Sequence, residues 1–147
     1  PTWTTITTIA TYGGRAVRLV YAVATANNHT TGNWGAPTWM GIVLTGQAAS
    51  SFIGGTATAT ASENDQATAP AITLSQSDGT SAILHLVERD YGFAAYGTTS
   101  GYTTRIAGNT GLNVATKNTT TSDGSVVITH GGTAANVRAI SVEIKAH

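Results

Sequence analysis

The sequence predicts an all-β fold: a single domain over residues 1–147, built as a jelly-roll-like antiparallel β-sandwich of about eight to ten strands. Three observations carry that expectation. About one residue in five is threonine, a β-branched side chain that loses χ1 freedom in a helix and sits well on a pleated, half-exposed surface. Hydrophobic residues recur with a period of two, and no segment combines a helical period with caps. Clusters of Gly, Asn, Asp and Pro punctuate the chain at spacings of about 8 to 12 residues, as between the strands of a sandwich. A chain of 147 residues suits one domain with a continuous core.

In chain order, PTWTTITTIA opens the sequence as an N-terminal arm or edge strand within residues 1–12. RAVRLVYAVATA (Arg15 to Ala26) sets Val17, Leu19, Tyr21 and Val23 against Ala16, Arg18, Val20 and Ala22, which predicts a strand buried largely on both sides. ANNHTTGNWGAP follows as a long loop, and its length marks it as a functional candidate. TWMGIVLTG (Thr38 to Gly46) and SFIGGTATATA (Ser51 to Ala61) are the next strands. The second ends in a Thr/Ala alternation whose small side chains suit close packing against another sheet or subunit. SENDQATAP reads as a loop. AITLSQ, the turn SDGT and SAILHLVERDY then predict a hairpin, because Asp-Gly supplies the positive φ angles of a tight turn. GFAAYGTTSGY is irregular, YTTRIAG and GLNVATKN are short strands, and SDGS repeats the turn signal before VVITH. VRAISVEIKA closes the chain as a half-buried strand, with Ile140, Val142 and Ile144 on one face and Ala139, Ser141, Glu143 and Lys145 on the other.

Composition narrows the function classes. Only 10% of residues are charged and the formal net charge is zero, so no basic stripe is available to neutralise phosphates, and nucleic acid is not an expected partner. So little charge also gives little colloidal repulsion, which suits a subunit made to assemble. The chain has no cysteine, which removes disulfides, thiolate catalysis and thiolate zinc sites together. No apolar run approaches the length of a membrane span and no signal peptide is visible, so neither a membrane nor export is expected.

The chemistry-bearing residues are dispersed. His29, His85, His130 and His147 lie far apart in sequence, so a metal site is not expected, and the alternation of His85 with Ile83 and Val87 makes it a core or interface residue. Glu63 with Asp65, and Glu88 with Asp90, are the local carboxylate pairs; they read as solvated strand ends and loops rather than a glycosidase dyad or a calcium cage. No G-x-S-x-G elbow occurs, and the glycine pairs Gly13-Gly14, Gly54-Gly55 and Gly131-Gly132 read as bends and turns rather than phosphate cradles. Catalytic, cofactor-binding and metal-ligating residues are therefore expected to be absent. Aromatics supply the candidate sites. Trp34 and Trp39 bracket Gly35-Ala36-Pro37, and Tyr96 and Tyr102 follow Tyr91 and Phe93 in a second irregular segment. Trp34, Trp39, Tyr96 and Tyr102 are the candidates for surface recognition, as flat platforms for a sugar ring or a partner.

From SGYTTRIAGNTGLNVATKN through SVVITHGGTAANVRAISVEIKAH, the sequence resembles small β-sandwich structural proteins of tailed-bacteriophage virions. The resemblance lies in a glycine-tyrosine turn before a short strand, the strand Gly111 to Lys117, a polar turn and the closing SVEIK pattern. It covers about the last third of the chain, with Arg15 to Ala26 a looser match, and its motifs are structural. It implies a non-enzymatic virion component, most of all a capsid decoration or cement protein, made in the host cytoplasm and carried on the particle. It also implies self-association, with a homotrimer favoured, and contact with the major capsid protein or another virion protein. The alternative is a carbohydrate-binding or adhesin module of a head or tail fibre, using loop aromatics to hold host glycan.

Overall fold

The structure, a computed structural model, describes residues 2–10, 16–23, 43–45, 47–48, 50–63, 66–75, 81–89, 96–98, 101–107, 112–120, 126–130 and 135–146. The chain divides into two compact units, Pro1–Val43 and Leu44–His147. Every regular element among the described residues is a β-strand, and every strand ladder is antiparallel.

The first unit holds β1 (Thr4–Ala10) and β2 (Ala16–Tyr21), paired from Thr4 opposite Tyr21 to Ala10 opposite Ala16, with a register shift between Thr5 and Thr7. The opening segment is thus a paired strand. β2 is not buried on both sides as its apolar content predicts: Ala16 and Arg18 are exposed while Val17 and Leu19 are half-buried. The alternation holds only over Ala16–Leu19: Val20, Tyr21 and Ala22 are all half-buried and Val23 is exposed.

The second unit holds β3 (Ile53–Glu63), β4 (Gln66–Ala69), β5 (Ser81–Arg89), β6 (Tyr96–Thr98), β7 (Thr103–Ala107), β8 (Leu112–Thr119), β9 (Val126–His130) and β10 (Ala135–Lys145). They form a five-stranded sheet, β3-β10-β5-β8-β7, and a three-stranded sheet, β4-β9-β6. The pairing is nested. β3 pairs with β10, β4 with β9 and β5 with β8, while β6 approaches β7 at the innermost turn of the chain. Successive nested pairs fall in alternate sheets, and β10 beside β5 and β9 beside β6 join them. β4 also approaches β3, β5 and β10 of the larger sheet.

Several local expectations change. AITLSQ does not form a hairpin with the strand after it: β5 is flanked by β10 and β8, and Leu74 and Ser75 are in no strand. The SDGT turn residues lie outside the described residues, and the distant β10 and β8 take both edges of β5. Residues expected as a loop in SENDQATAP end β3 and form β4, and GFAAYGTTSGY contains β6. Of TWMGIVLTG, Val43 to Thr45 are not in a strand and residues 38–42 lie outside the described residues.

The core is centred on β5 and β10. Ile83, Leu84, Leu86 and Val87 from β5, Val114 and Ala115 from β8, and Val137, Ala139, Ile140, Val142 and Ile144 from β10 are all buried. Each large side chain of this set contributes about 1.5–3 kcal/mol by leaving water. β10 is therefore not half-buried. Its expected outward face, with Ser141 and Glu143 each at 0% exposure, is covered as fully as its apolar face.

Candidate functional site

Register places four of the buried polar residues, Ser81, His85, Ser141 and Glu143, together. In the β10 to β5 ladder Ser141 lies opposite His85 and Glu143 opposite Ile83, and in the β5 to β8 ladder His85 lies opposite Ala115. Side chains opposite one another across antiparallel strands share a face, so Ser81, His85, Ser141 and Glu143 line one side of the sheet. The segment Pro70–Ser75, which leaves β4, is bonded to that side.

Glu143 is the most heavily bonded of them. Its Oε2 accepts the Gly55 N–H at 2.8 Å, the Ser75 N–H at 2.7 Å and the Ser75 hydroxyl at 2.8 Å, and its Oε1 accepts the Ser81 hydroxyl at 2.8 Å. The backbone explains how such a cradle arises. Val142 pairs with Thr56 and Ile144 with Ile53, so two residues, Gly54 and Gly55, stand opposite the single Glu143. This is a β-bulge, and a bulge leaves ladder groups in need of other partners. The Glu143 carboxylate supplies one. Both glycines are needed for the approach: a Cβ on Gly54 would meet the Glu143 carboxylate and lie 2.6 Å from the Ser75 hydroxyl oxygen, and one on Gly55 would meet the Thr73 carbonyl. The pair expected as a bend is a bulge inside β3 instead.

Burial alone would push the Glu143 carboxyl up. The N–H groups of Ser75 and Gly55, with the Ser75 and Ser81 hydroxyls, outweigh it and bring the pKa from 4.5 down to about 2. An ionised carboxylate with no cation among these four donors is stabilised by oriented neutral dipoles.

The second cluster runs through His85, which is 0% exposed. Ser141 donates its hydroxyl hydrogen to the Pro70 carbonyl at 2.7 Å, so its oxygen receives His85 Nδ1–H at 2.6 Å. The other ring nitrogen, Nε2, lies 2.9 Å from the Tyr102 hydroxyl, within hydrogen-bond distance. The Tyr102 ring lies 5.0 Å from the imidazole, centroid to centroid, with Lys117 Nζ 5.3 Å from the Tyr102 centroid. Gly101, at φ +89°, makes the turn that delivers Tyr102 to this position.

On the other face of the sheet Arg138, 2% exposed, is bonded to Glu88, its directly opposite partner on β5. Of the carboxylate pair Glu88 and Asp90, Glu88 is taken up by Arg138, and Asp90 lies outside the described residues. Arg105 Nε donates to the Thr116 hydroxyl at 2.7 Å.

Of the aromatic candidates, Tyr102 is half-buried with its hydroxyl turned to His85. Tyr96 opens β6, opposite His130 on β9, and the side chains of both lie outside the described residues, as do Trp34 and Trp39 entirely. Among the described residues no group of three His, Asp or Glu side chains is placed to hold a metal ion, and no helix is long and apolar enough to cross a membrane. The residues that sequence reasoning passed over are Ser75, Ser81, Ser141 and Glu143. One signal could have found their site: a Gly-Gly pair within a strand pattern marks a bulge, and a bulge needs a polar neighbour.

What these groups can do is hold chain to chain. The Glu143 and Ser141 bonds fix Pro70, Ser75 and the β3 bulge to β10, and the Ser81 hydroxyl ties β5 to the same carboxylate. No family model matches this sequence, and neither the curated proteins nor the solved structures compared with it include a match.

Proposed function

We propose that the chain is a non-enzymatic structural protein of a bacteriophage virion, acting as a capsid decoration or cement protein on the head surface. The observation that carries this reading is the strand order. Nested antiparallel pairs, β3-β10 and β5-β8 in the five-stranded sheet β3-β10-β5-β8-β7 and β4-β9 in the three-stranded sheet β4-β9-β6, are compatible with the winding of a jelly-roll sandwich, an architecture used widely in viral capsid and lectin domains. On this reading the two sheets of the second unit pack face to face, with β4 nearest the centre of the larger sheet. A fold by itself does not assign a role. Two further features support assembly over catalysis: the near-neutral, low-charge composition, and the commitment of the buried His85 and Glu143 to internal bonds. The resemblance of the last third of the chain to phage structural proteins points the same way. The partners are then the major capsid protein or another virion protein, and further copies of the chain, with a trimer favoured by the resemblance.

Cement must bridge neighbouring capsid subunits, and an interface of roughly 1,600 Å² suffices for stable attachment. The test is to mix the purified protein with heads of the encoding phage that lack it, then sediment them. The protein is expected to pellet with the heads at a fixed ratio and to raise the temperature at which they rupture. Recovery of all of it in the supernatant would sink the decoration reading.

A further inference from the structure

We propose that the outer edge of β3 is a self-association site, at which a second copy of the chain adds its own β3 antiparallel across a two-fold axis at Thr58. The inference does not rest on the virion reading.

The five-stranded sheet ends in two very different edges. At one end β7 is short, Thr103–Ala107, has a register shift between Thr104 and Ile106, and carries the exposed Arg105. A short strand, a bulge and a charge are the devices by which natural sheets prevent edge-to-edge pairing. At the other end β3 runs for 11 residues, and among the described residues no strand pairs with it on the side away from β10. Its bulge lies at the start, at Gly54 and Gly55, and its one charged residue, Glu63, at the end. Between them lies Thr56-Ala57-Thr58-Ala59-Thr60, without charge or proline, with the three threonines exposed and the two alanines half-buried. One edge is guarded, and the other has no partner strand among the described residues.

The occupant follows from the pattern. An incoming antiparallel strand places each residue opposite one whose side chain points to the same face. The segment is its own complement about Thr58: Thr58 meets Thr58, Thr56 meets Thr60 and Ala57 meets Ala59. Threonine then faces threonine on the exposed side, a favourable cross-strand pair through its hydroxyl and methyl groups, and alanine faces alanine on the covered side. A strand of unrelated sequence would have to meet small residues on one face and hydroxyls on the other. The same copy does so by construction, and such a contact is isologous and closes at two chains. It therefore stands apart from the trimer that the resemblance implies.

The absence of cysteine makes the test direct. Across the two-fold, the Thr58 Cα atoms would lie about 4.5–5.5 Å apart, within the range that a disulfide spans. Thr58→Cys is expected to cross-link into a covalent dimer under mild oxidation, while Thr103→Cys on the β7 edge stays monomeric. In sedimentation velocity the wild-type chain is expected to show a concentration-dependent dimer. Thr58→Lys, which sets two like charges face to face, should weaken it about tenfold or more. Circular dichroism of each variant confirms folding, and if Thr58→Lys does not fold, the near-isosteric Thr58→Cys still decides. A strictly monomeric wild type, a dimer or trimer indifferent to Thr58→Lys, or a Thr58→Cys chain that does not cross-link overturns the proposal and leaves the edge to a strand of another protein.

Discussion

β10 carries a carboxylate arrangement toward each end, and the two solve the same problem in opposite ways. Near its C-terminal end Glu143 is 0% exposed and is held by two backbone N–H groups and two hydroxyls. Nearer its start Arg138, 2% exposed, reaches across to Glu88, whose side chain is 21% exposed. The first is a charge stabilised by neutral dipoles; the second is an ion pair with one partner in partial contact with water. The difference lies in what each can lose. Removing Glu143 strips four donors of their acceptor at once, whereas removing one member of the ion pair leaves a single charged group, and the outcome depends on which member stays.

The largest effect is therefore expected from Glu143→Leu. Gly55 N–H, Ser75 N–H and the Ser75 and Ser81 hydroxyls would be left without their shared acceptor, at a cost of about 4 kcal/mol or more. Urea unfolding should show a much lowered midpoint, and a loss below about 1 kcal/mol would mean that water takes over the cradle. Gly54→Ala attacks the same site from the other side, because its Cβ would meet the carboxylate. It should cost about 2–4 kcal/mol, although alanine is ordinarily the better residue within a strand.

Acid separates the two ends in wild-type protein. The Glu143 pKa falls from 4.5 to about 2 on folding. A depressed folded pKa contributes stability that is fully present above the unfolded value and is lost as pH falls through the folded one. Unfolding free energy should thus decline from about pH 4.5 and level off only below about pH 2, a total of about 3 kcal/mol from this group. Glu143→Gln should remove this part of the slope. An unchanged profile in that variant would show that Glu143 does not carry the acid sensitivity.

Much of the strand framework was legible in the sequence, because period-two alternation is a local property. β5, β7 and β9 lie within segments read as strands, and β3, β8 and β10 overrun theirs by one or two residues. Partner choice was not local. β5 pairs with β10, which begins 46 residues after β5 ends, and no turn signal encodes that. β4 escaped because Gln-Ala-Thr-Ala has no large apolar residue to mark its alternation. The Glu143 site escaped for a different reason. A strand with Ser141, Glu143 and Lys145 on one face reads as half-solvated, and only the course of Pro70–Ser75 over that face shows that it is covered. Gly54-Gly55 was visible, yet turn and bulge share the same local preference for glycine, and the opposing Glu143 decides between them. His85 was legible as an interior residue, but its partners Ser141 and Tyr102 lie 56 and 17 positions away.

The smallest effects are expected at the ion pair, where their order is more informative than their size. Glu88→Gln leaves the Arg138 guanidinium at 2% exposure without its carboxylate, at a cost of about 2 kcal/mol, because a buried charge cannot recover its hydration. Arg138→Met removes the buried charge, keeps much of the aliphatic volume, and leaves a glutamate with 21% of its side chain in water to be hydrated. That change should cost about 1 kcal/mol or less. The double variant Glu88→Gln with Arg138→Met should be no less stable than Glu88→Gln alone, as measured by urea midpoints across the cycle. If Arg138→Met proves the more damaging single change, the guanidinium is valued for its packing and its other bonds rather than for Glu88. The contrast between the two ends of β10 would then be one of donor number rather than of charge.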